Sequence, residues 1–309
     1  MKLLKDLRII FMGTPEFAVA SLHALVQAGC QVVAVITAPD KPSGRGLHVH
    51  TSAVKDYAVA NNLPILQPVK LKNPEFIEAV KSYQADLQVV VAFRMLPEVL
   101  WNMPPMGTIN VHASLLPQYR GAAPINWAVI NEEKETGVTT FQLKHEIDTG
   151  DILLQTRIPI LHDDTAGSIH DKLMQEGASL LVKTVEGIAA GTLIETPQAS
   201  FHEALKHAPK LFKDDMLINW YQPIDTIHNF IRGLSPYPAA YTTLLQKQFK
   251  IFHATVLATE PTADPGTFET DHKTYLRFAA NDGWVYAEEV QVEGKKRMTI
   301  QEFLKGFRG

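Results

Sequence analysis

The sequence predicts an α/β protein of two domains, a parallel sheet covered on both faces by helices and then a small β-barrel. Three observations carry that reading. The chain has 309 residues, against a prior of roughly 150 per domain, so two ordinary cores fit without disulfides or metal. In its first half, Val- and Ile-rich runs of strand length alternate with segments of helical spacing, which is the pattern of a parallel sheet. Beyond the break at Ser235, Pro236, Tyr237 and Pro238, strand signals dominate.

The first apolar run, residues 7–12, ends at Gly13, Thr14 and Pro15, a strand-to-helix turn in which Thr14 can cap and Pro15 suits the first helical position. Phe17, Val19, Leu22, Leu25 and Val26 follow at helical spacing until Gly29 supplies a stop. Residues 32–36 then form a strand, 52–61 a helix, 64–66 a short strand, and 87–93 a buried strand, with a further helix after the cap at Asn73 and Pro74. Between 36 and 52 lies an insert longer than the two to six residues usual for such connections. Residues 191–211 show little periodicity, and 223–233 form a short helix. In the last third, 250–258 is a strand, and 274–280 and 284–292 form a hairpin around Asn281, Asp282 and Gly283, where Gly is available for a left-handed conformation. The spacing of Thr299 and Glu302 is that of a capping box opening a final helix.

Hydrophobic residues at 46% and charged residues at 20% are globular values, which excludes a disordered or fibrous chain. Net charge is −4; residues 1–200 hold 16 basic and 20 acidic side chains, and 201–309 hold 13 of each. A polyanionic partner would therefore be gripped by local patches such as Lys295, Lys296 and Arg297. The single cysteine, Cys30, excludes an intramolecular disulfide and a cysteine zinc site. His48 and His50 alternate without a third ligand, so no metal is expected. No stretch approaches a membrane span, and a cytoplasmic location is expected.

Gly13 fails as a dinucleotide fingerprint, because Gly-Thr-Pro-Glu-Phe-Ala lacks the second and third glycines. The informative segment runs from 107 to 124. If Asn110 and His112 lie on a strand, period-two alternation puts an amide donor and an imidazole on one face at the sheet's carboxyl end. Such a pair suits acyl chemistry, the amide stabilising an oxyanion and the imidazole moving protons. Ser114, Leu115, Leu116 and Pro117, followed by Tyr119, Arg120, Gly121, Ala122, Ala123 and Pro124, form a rigid turn feeding a helix. Downstream, Asp148, Thr149 and Gly150 supply an acid in a glycine-terminated loop.

In these motifs the chain resembles the methionyl-tRNA formyltransferase family, within the 10-formyltetrahydrofolate-dependent formyltransferases. The family pattern Asn-x-His-x-Ser-Leu-Leu-Pro-x-Tyr/Trp-Arg-Gly-Ala-Ala-Pro with a later Asp-Thr-Gly is present in full between Asn110 and Gly150. The opening segment 9–18, the insert 39–46 and the segment 204–220 are also similar to this branch. One departure lies at Arg94, where the family usually carries Gly, and another at Leu47 and His48, where relatives often carry lysines.

The resemblance implies a Rossmann-like catalytic domain over 1–190, a linker over 191–211 and an open, OB-like barrel over 212–309 that binds tRNA. It implies transfer of a formyl group from 10-formyltetrahydrofolate to the amino group of methionine on initiator tRNA, by a monomer with no metal. Asn110, His112 and Asp148 are then the catalytic residues, with Asp148 orienting the imidazole. Phe93, Arg94 and Leu96, with Ser114, Leu115, Leu116 and Pro117, line the folate site. Arg45, Lys206, Lys210, Lys295, Lys296 and Arg297 contact tRNA. The same three catalytic residues would serve a formyltransferase acting on an amino sugar nucleotide, and the barrel and basic patches alone would serve a nucleic-acid-binding module.

Overall fold

The computed structural model describes residues 2–43 and 48–307. By contact the chain forms two compact units, Met1–Arg120 with Gly137–Ile158 and Asp171–His207, and Gly121–Thr136 with Pro159–His170 and Ala208–Gly309. Each unit is thus assembled from separate stretches of chain. Among the described residues no helix is long and apolar enough to cross a membrane.

The first unit contains β1 (Arg8–Gly13), α1 (Glu16–Gln27), β2 (Gln31–Ile36), the short ribbon β3 (Lys41–Ser43) and β4 (His48–His50), α2 (Ala53–Ala60), β5 (Ile65–Leu66), α3 (Pro74–Ser82), β6 (Leu87–Val91), α4 (Glu98–Trp101) and β7 (Thr108–His112). After β8 (Arg120–Gly121) and α5 (Pro124–Ile130) come β9 (Glu135–Gln142), β10 (Ile152–Pro159) and α6 (Ala166–Ala190). The main sheet has the order β10-β9-β7-β6-β1-β2-β5. Its β5-β2-β1-β6-β7 part is parallel throughout, and β9 joins antiparallel to β7. Every residue of β6 is buried, as expected of a strand covered on both faces.

Local chemistry sets the element ends. Ser52 caps α2 by accepting from the Lys55 N–H, and Asn73 caps α3 by accepting from the Glu75 N–H. The expected cap at Thr14 is not made: Pro15 is the residue before the first helical turn, in extended conformation, and no side chain caps it. Gly13 is needed for space, since a Cβ there would lie 2.6 Å from that of Ala18 and 3.0 Å from the Val91 carbonyl oxygen. The strand expected over 87–93 stops at Val91, because Ala92 turns the chain with φ +47°.

Beyond β11 (His207–Ala208), the second unit holds α7 (Ile224–Leu234), β12 (Ala240–Leu244), β13 (Lys247–Leu257), β14 (Phe268–Thr270), β15 (Leu276–Ala279), β16 (Trp284–Val292), β17 (Met298–Thr299) and α8 (Ile300–Leu304). The sheet runs β12-β13-β16-β15-β14, with β17 on β16 and antiparallel pairing throughout. Register shifts on either side of His253 bend β13 and curl the sheet into an open barrel. Its core includes Trp220 stacked on Phe278 at 4.6 Å, with the indole N–H donating to Thr242 Oγ1 at 3.0 Å. The Thr299–Glu302 capping box is formed as the sequence predicts. Gly283, however, does not adopt a left-handed conformation; it is there because a Cβ would lie 2.5 Å from the Leu257 carbonyl oxygen.

α5 packs against α7 in this unit, where Asn126 Nδ2 donates to the Gly233 carbonyl at 2.8 Å. On α7, His228 stacks on His162 at 5.2 Å. Burial above all, with the nearby His162, Arg232 and His253 opposed by Asp225, pushes the His228 imidazole down to about 4. The folded state therefore holds this ring neutral while the unfolded chain protonates it below about 6.5. Its contribution is complete above that value and is lost as pH falls towards 4. After discounting for partial exposure, the loss is on the order of 1 kcal/mol. Thermal melts should show wild type losing stability relative to His228→Gln as pH falls from neutral towards about 4.5. A constant offset between the two would refute this assignment.

Candidate active site

β7 ends at the carboxyl edge of the parallel part of the sheet, where ligands of open α/β sheets bind. Alternation along β7 places Asn110 and His112 on one face, opposite Phe141 and Thr139 of β9. Asn110 is half-buried and His112 is buried, its ring meeting Phe141 edge-on at 6.4 Å.

His112 Nε2 lies 2.9 Å from the Tyr119 carbonyl oxygen. A carbonyl only accepts, so Nε2 carries hydrogen and donates it. In the neutral ring Nδ1 is then the atom with a lone pair; it faces Asp148 Oδ2 at 4.0 Å. That separation is too long for a hydrogen bond. Asp148 occupies the left-handed region, φ +55°, in the loop between β9 and β10; aspartate tolerates this backbone better than most residues.

The turn after β7 is tied down from within. Thr139 Oγ1 donates to the Ser114 carbonyl at 2.7 Å and accepts from the Leu116 N–H at 3.1 Å, and Gln155 Nε2 donates to the Leu116 carbonyl at 2.8 Å. Ser114 Oγ donates to the Gln118 carbonyl at 2.7 Å. Ser114 and Leu116 are fully buried and Pro117 is buried, with Leu115 less so. The backbone of Ser114 and Leu116, in the segment expected along the folate wall, is thus fixed by Thr139 and Gln155.

Phe93 and Leu96 pack with Leu143 on the cluster around Val90 and Leu100, and Leu143 also packs on the Leu116, Phe141 and Ile152 cluster. An apolar wall therefore runs from the segment after β6 to the neighbourhood of His112. Arg94 is exposed, its guanidinium over the Phe93 ring at 5.5 Å and donating to the carbonyls of Pro68 and Val69.

Sequence reasoning missed Gln198. It lies in the aperiodic stretch after α6, yet is buried, donates to the carbonyls of Asp148 and Gly150, and accepts from Arg120.

The expected tRNA contacts come from separate stretches of the chain. Arg45 lies outside the described residues. The Lys206 carbonyl accepts from the Tyr119 N–H at 2.6 Å, so that residue's backbone abuts the peptide that holds His112. Lys210 Nζ sits 5.4 Å from the Phe212 ring centroid. Lys295 and Lys296 are exposed in the turn between β16 and β17, and Arg297 lies over Phe252 and pairs with Glu289.

A formyl transferase family model matches residues 7–185, and a formyl transferase C-terminal domain model matches 210–308. A curated methionyl-tRNA formyltransferase of Bacteroides fragilis is 54% identical over 310 residues, 98% of this chain and 96% of that protein. The chain belongs to the methionyl-tRNA formyltransferase family. Among solved structures, HypX from Aquifex aeolicus in complex with tetrahydrofolic acid is similar, with a TM-score of 0.66 and 19% identity over 97% of this chain; the chain spans about half of HypX, 48%. An N-formyltransferase from Helicobacter canadensis, in complex with folinic acid and dTDP-3-aminofucose, has a TM-score of 0.66 and 23% identity, covering 91% of this chain and 98% of that one. At such identities these likenesses establish the fold alone, so they do not separate acceptors.

Proposed function

We propose that this protein transfers the formyl group of 10-formyltetrahydrofolate to the amino group of methionine esterified to initiator tRNA, with Asn110, His112 and Asp148 as the catalytic residues. The observation that carries the assignment of roles is the pinning of His112 Nε2–H on the Tyr119 carbonyl, which leaves Nδ1 as the proton-carrying atom, facing Asp148.

The neutral amine attacks the formyl carbon, forming the new C–N bond and an oxyanion. Asn110 donates an amide N–H to that oxygen. His112 Nδ1 accepts the proton shed by the attacking nitrogen and returns one to N10 of the folate as its bond to the formyl carbon breaks. While Nδ1 holds the proton the ring is a cation, and the Asp148 carboxylate stabilises it across the gap. Phe93, Leu96 and Leu143 provide the apolar surface that a flat ring system requires, with Ser114, Leu115, Leu116 and Pro117 as the support beneath.

The acceptor reading rests on membership of the family and on a few placed cations: Lys210, the exposed Lys295 and Lys296, and Arg297 of the second unit, together with Arg45 of the 39–46 insert and Lys206 of the 191–211 segment, are the tRNA contacts of this proposal. A monomer working in the cytoplasm fits it. The test is a competition in which the purified protein, 10-formyltetrahydrofolate, charged initiator tRNA and an amino sugar nucleotide share one tube. Formyl on the aminoacyl-tRNA is the expected outcome, and formyl on the sugar would replace the tRNA reading.

A further inference from the structure

We propose that Gln198 is a positioning residue for the reaction, holding the Asp148 loop in its working geometry from a segment outside both matched family regions. The proposal rests on the catalytic reading of Asp148 given above.

Gln198 is 4% exposed. Its Nε2 donates to the Asp148 carbonyl at 2.9 Å and to the Gly150 carbonyl at 2.7 Å. Its Oε1 accepts from Arg120 Nε at 2.9 Å and Nη2 at 2.7 Å. Both amide hydrogens and both oxygen lone pairs are thereby used. The arrangement also fixes which way the amide points. Flipped, it would set N–H groups against the guanidinium and its oxygen against two carbonyls, repulsive on both sides. Arg120 therefore compels the amide nitrogen to face the loop.

The approach of Gln198 is itself constrained, since Thr196 exchanges two backbone hydrogen bonds with Ile152 at the start of β10. The loop it holds belongs to neither strand. It contains the left-handed Asp148, and its exposed Lys144–Asp151 pair adds little rigidity. Carbonyls on either side of Thr149 are gripped by one buried amide, so losing that amide removes both contacts at once and loosens the control of the separation between Asp148 and His112 Nδ1. Misplacement of a catalytic group by about 1 Å can lower a rate by about 100-fold.

The test is a double-mutant cycle in single-turnover formylation of charged initiator tRNA. Gln198→Met keeps length and removes every polar contact; Gln198→Glu keeps the Arg120 contact but sets a carboxylate against the two loop carbonyls. Each is expected to lower the rate of transfer by about 10- to 100-fold with KM for both substrates little changed. In an Asp148→Asn background, neither should add much further loss, because the interaction through which Gln198 acts is already gone. A purely structural role would instead lower thermal stability and carry its full loss into that background. Wild-type rates in a folded Gln198 variant, fully additive losses, or failure of both variants to fold would overturn the proposal. If Asp148→Asn itself retained the wild-type rate, the catalytic reading of Asp148 would fall with it; a slow Asp148→Asn beside a fast Gln198→Met would sink the positioning role alone.

Discussion

His112→Ala and Asp148→Asn are each expected to lower the rate of formyl transfer by about 10²–10⁴-fold, the usual worth of a positioned proton carrier and its charge partner. The geometry says why each should act on chemistry rather than folding. Asparagine has the shape of aspartate and tolerates the left-handed backbone at position 148 equally well, so the loop keeps its course. What it lacks is the charge that stabilises a protonated His112 across 4.0 Å. In His112→Ala the hydrogen bond to the Tyr119 carbonyl is lost, a local defect at the last residue of β7, while the backbone pairing of β7 with β6 and β9 does not depend on that side chain. The proposed mechanism has the two residues act as a unit, so the double variant should be little slower than the worse single one. Single-turnover rates on purified, folded variants measure this. A near wild-type rate in either would remove that residue from the mechanism.

The second large effect is expected at Asn110. Asn110→Ala should lower the rate by about 10²–10³-fold, the range found when one oxyanion donor is removed, with donor binding nearly intact. The side chain is half-buried opposite Phe141, so truncation leaves a small space rather than a core cavity. Asn110→Asp is the sharper test: it places a negative charge where negative charge develops and should be slower than Asn110→Ala. If the aspartate variant were as fast as the alanine one, or faster, Asn110 would not serve the oxyanion.

What the sequence made legible was local. The alternation of buried strands and capped helices in the first 112 residues follows from periodicity and from Ser52, Asn73 and Gly29, each acting within a few residues of itself. Asn110 and His112 could be paired because a strand fixes the direction of alternate side chains. What remained hidden depends on contacts between distant parts of the chain. The grouping of Gly121–Thr136 with the second unit follows from α5 meeting α7, about which neither helix says anything by itself. That Thr139 and Gln155 fix the backbone of Ser114 and Leu116 is likewise invisible in the motif, since the partners lie on other strands. Gln198 is the extreme case: it sits in an aperiodic stretch, and its partners lie 48, 50 and 78 positions away. Gly283 illustrates the same limit on a smaller scale, since its need for space comes from Leu257 across the sheet.

Formyl transfer onto the amino group of methionyl-tRNA is expected to pass through His112 and its neighbours. The most direct measurement uses 10-formyltetrahydrofolate labelled in the formyl carbon, methionyl initiator tRNA and the purified protein, with the aminoacyl ester released after quenching and weighed by mass spectrometry. Labelled N-formylmethionine should appear with wild type and be nearly absent over the same interval with His112→Ala. Unlabelled methionine from wild type, or equal label from both proteins, would be incompatible with formyl transfer to methionyl-tRNA through His112.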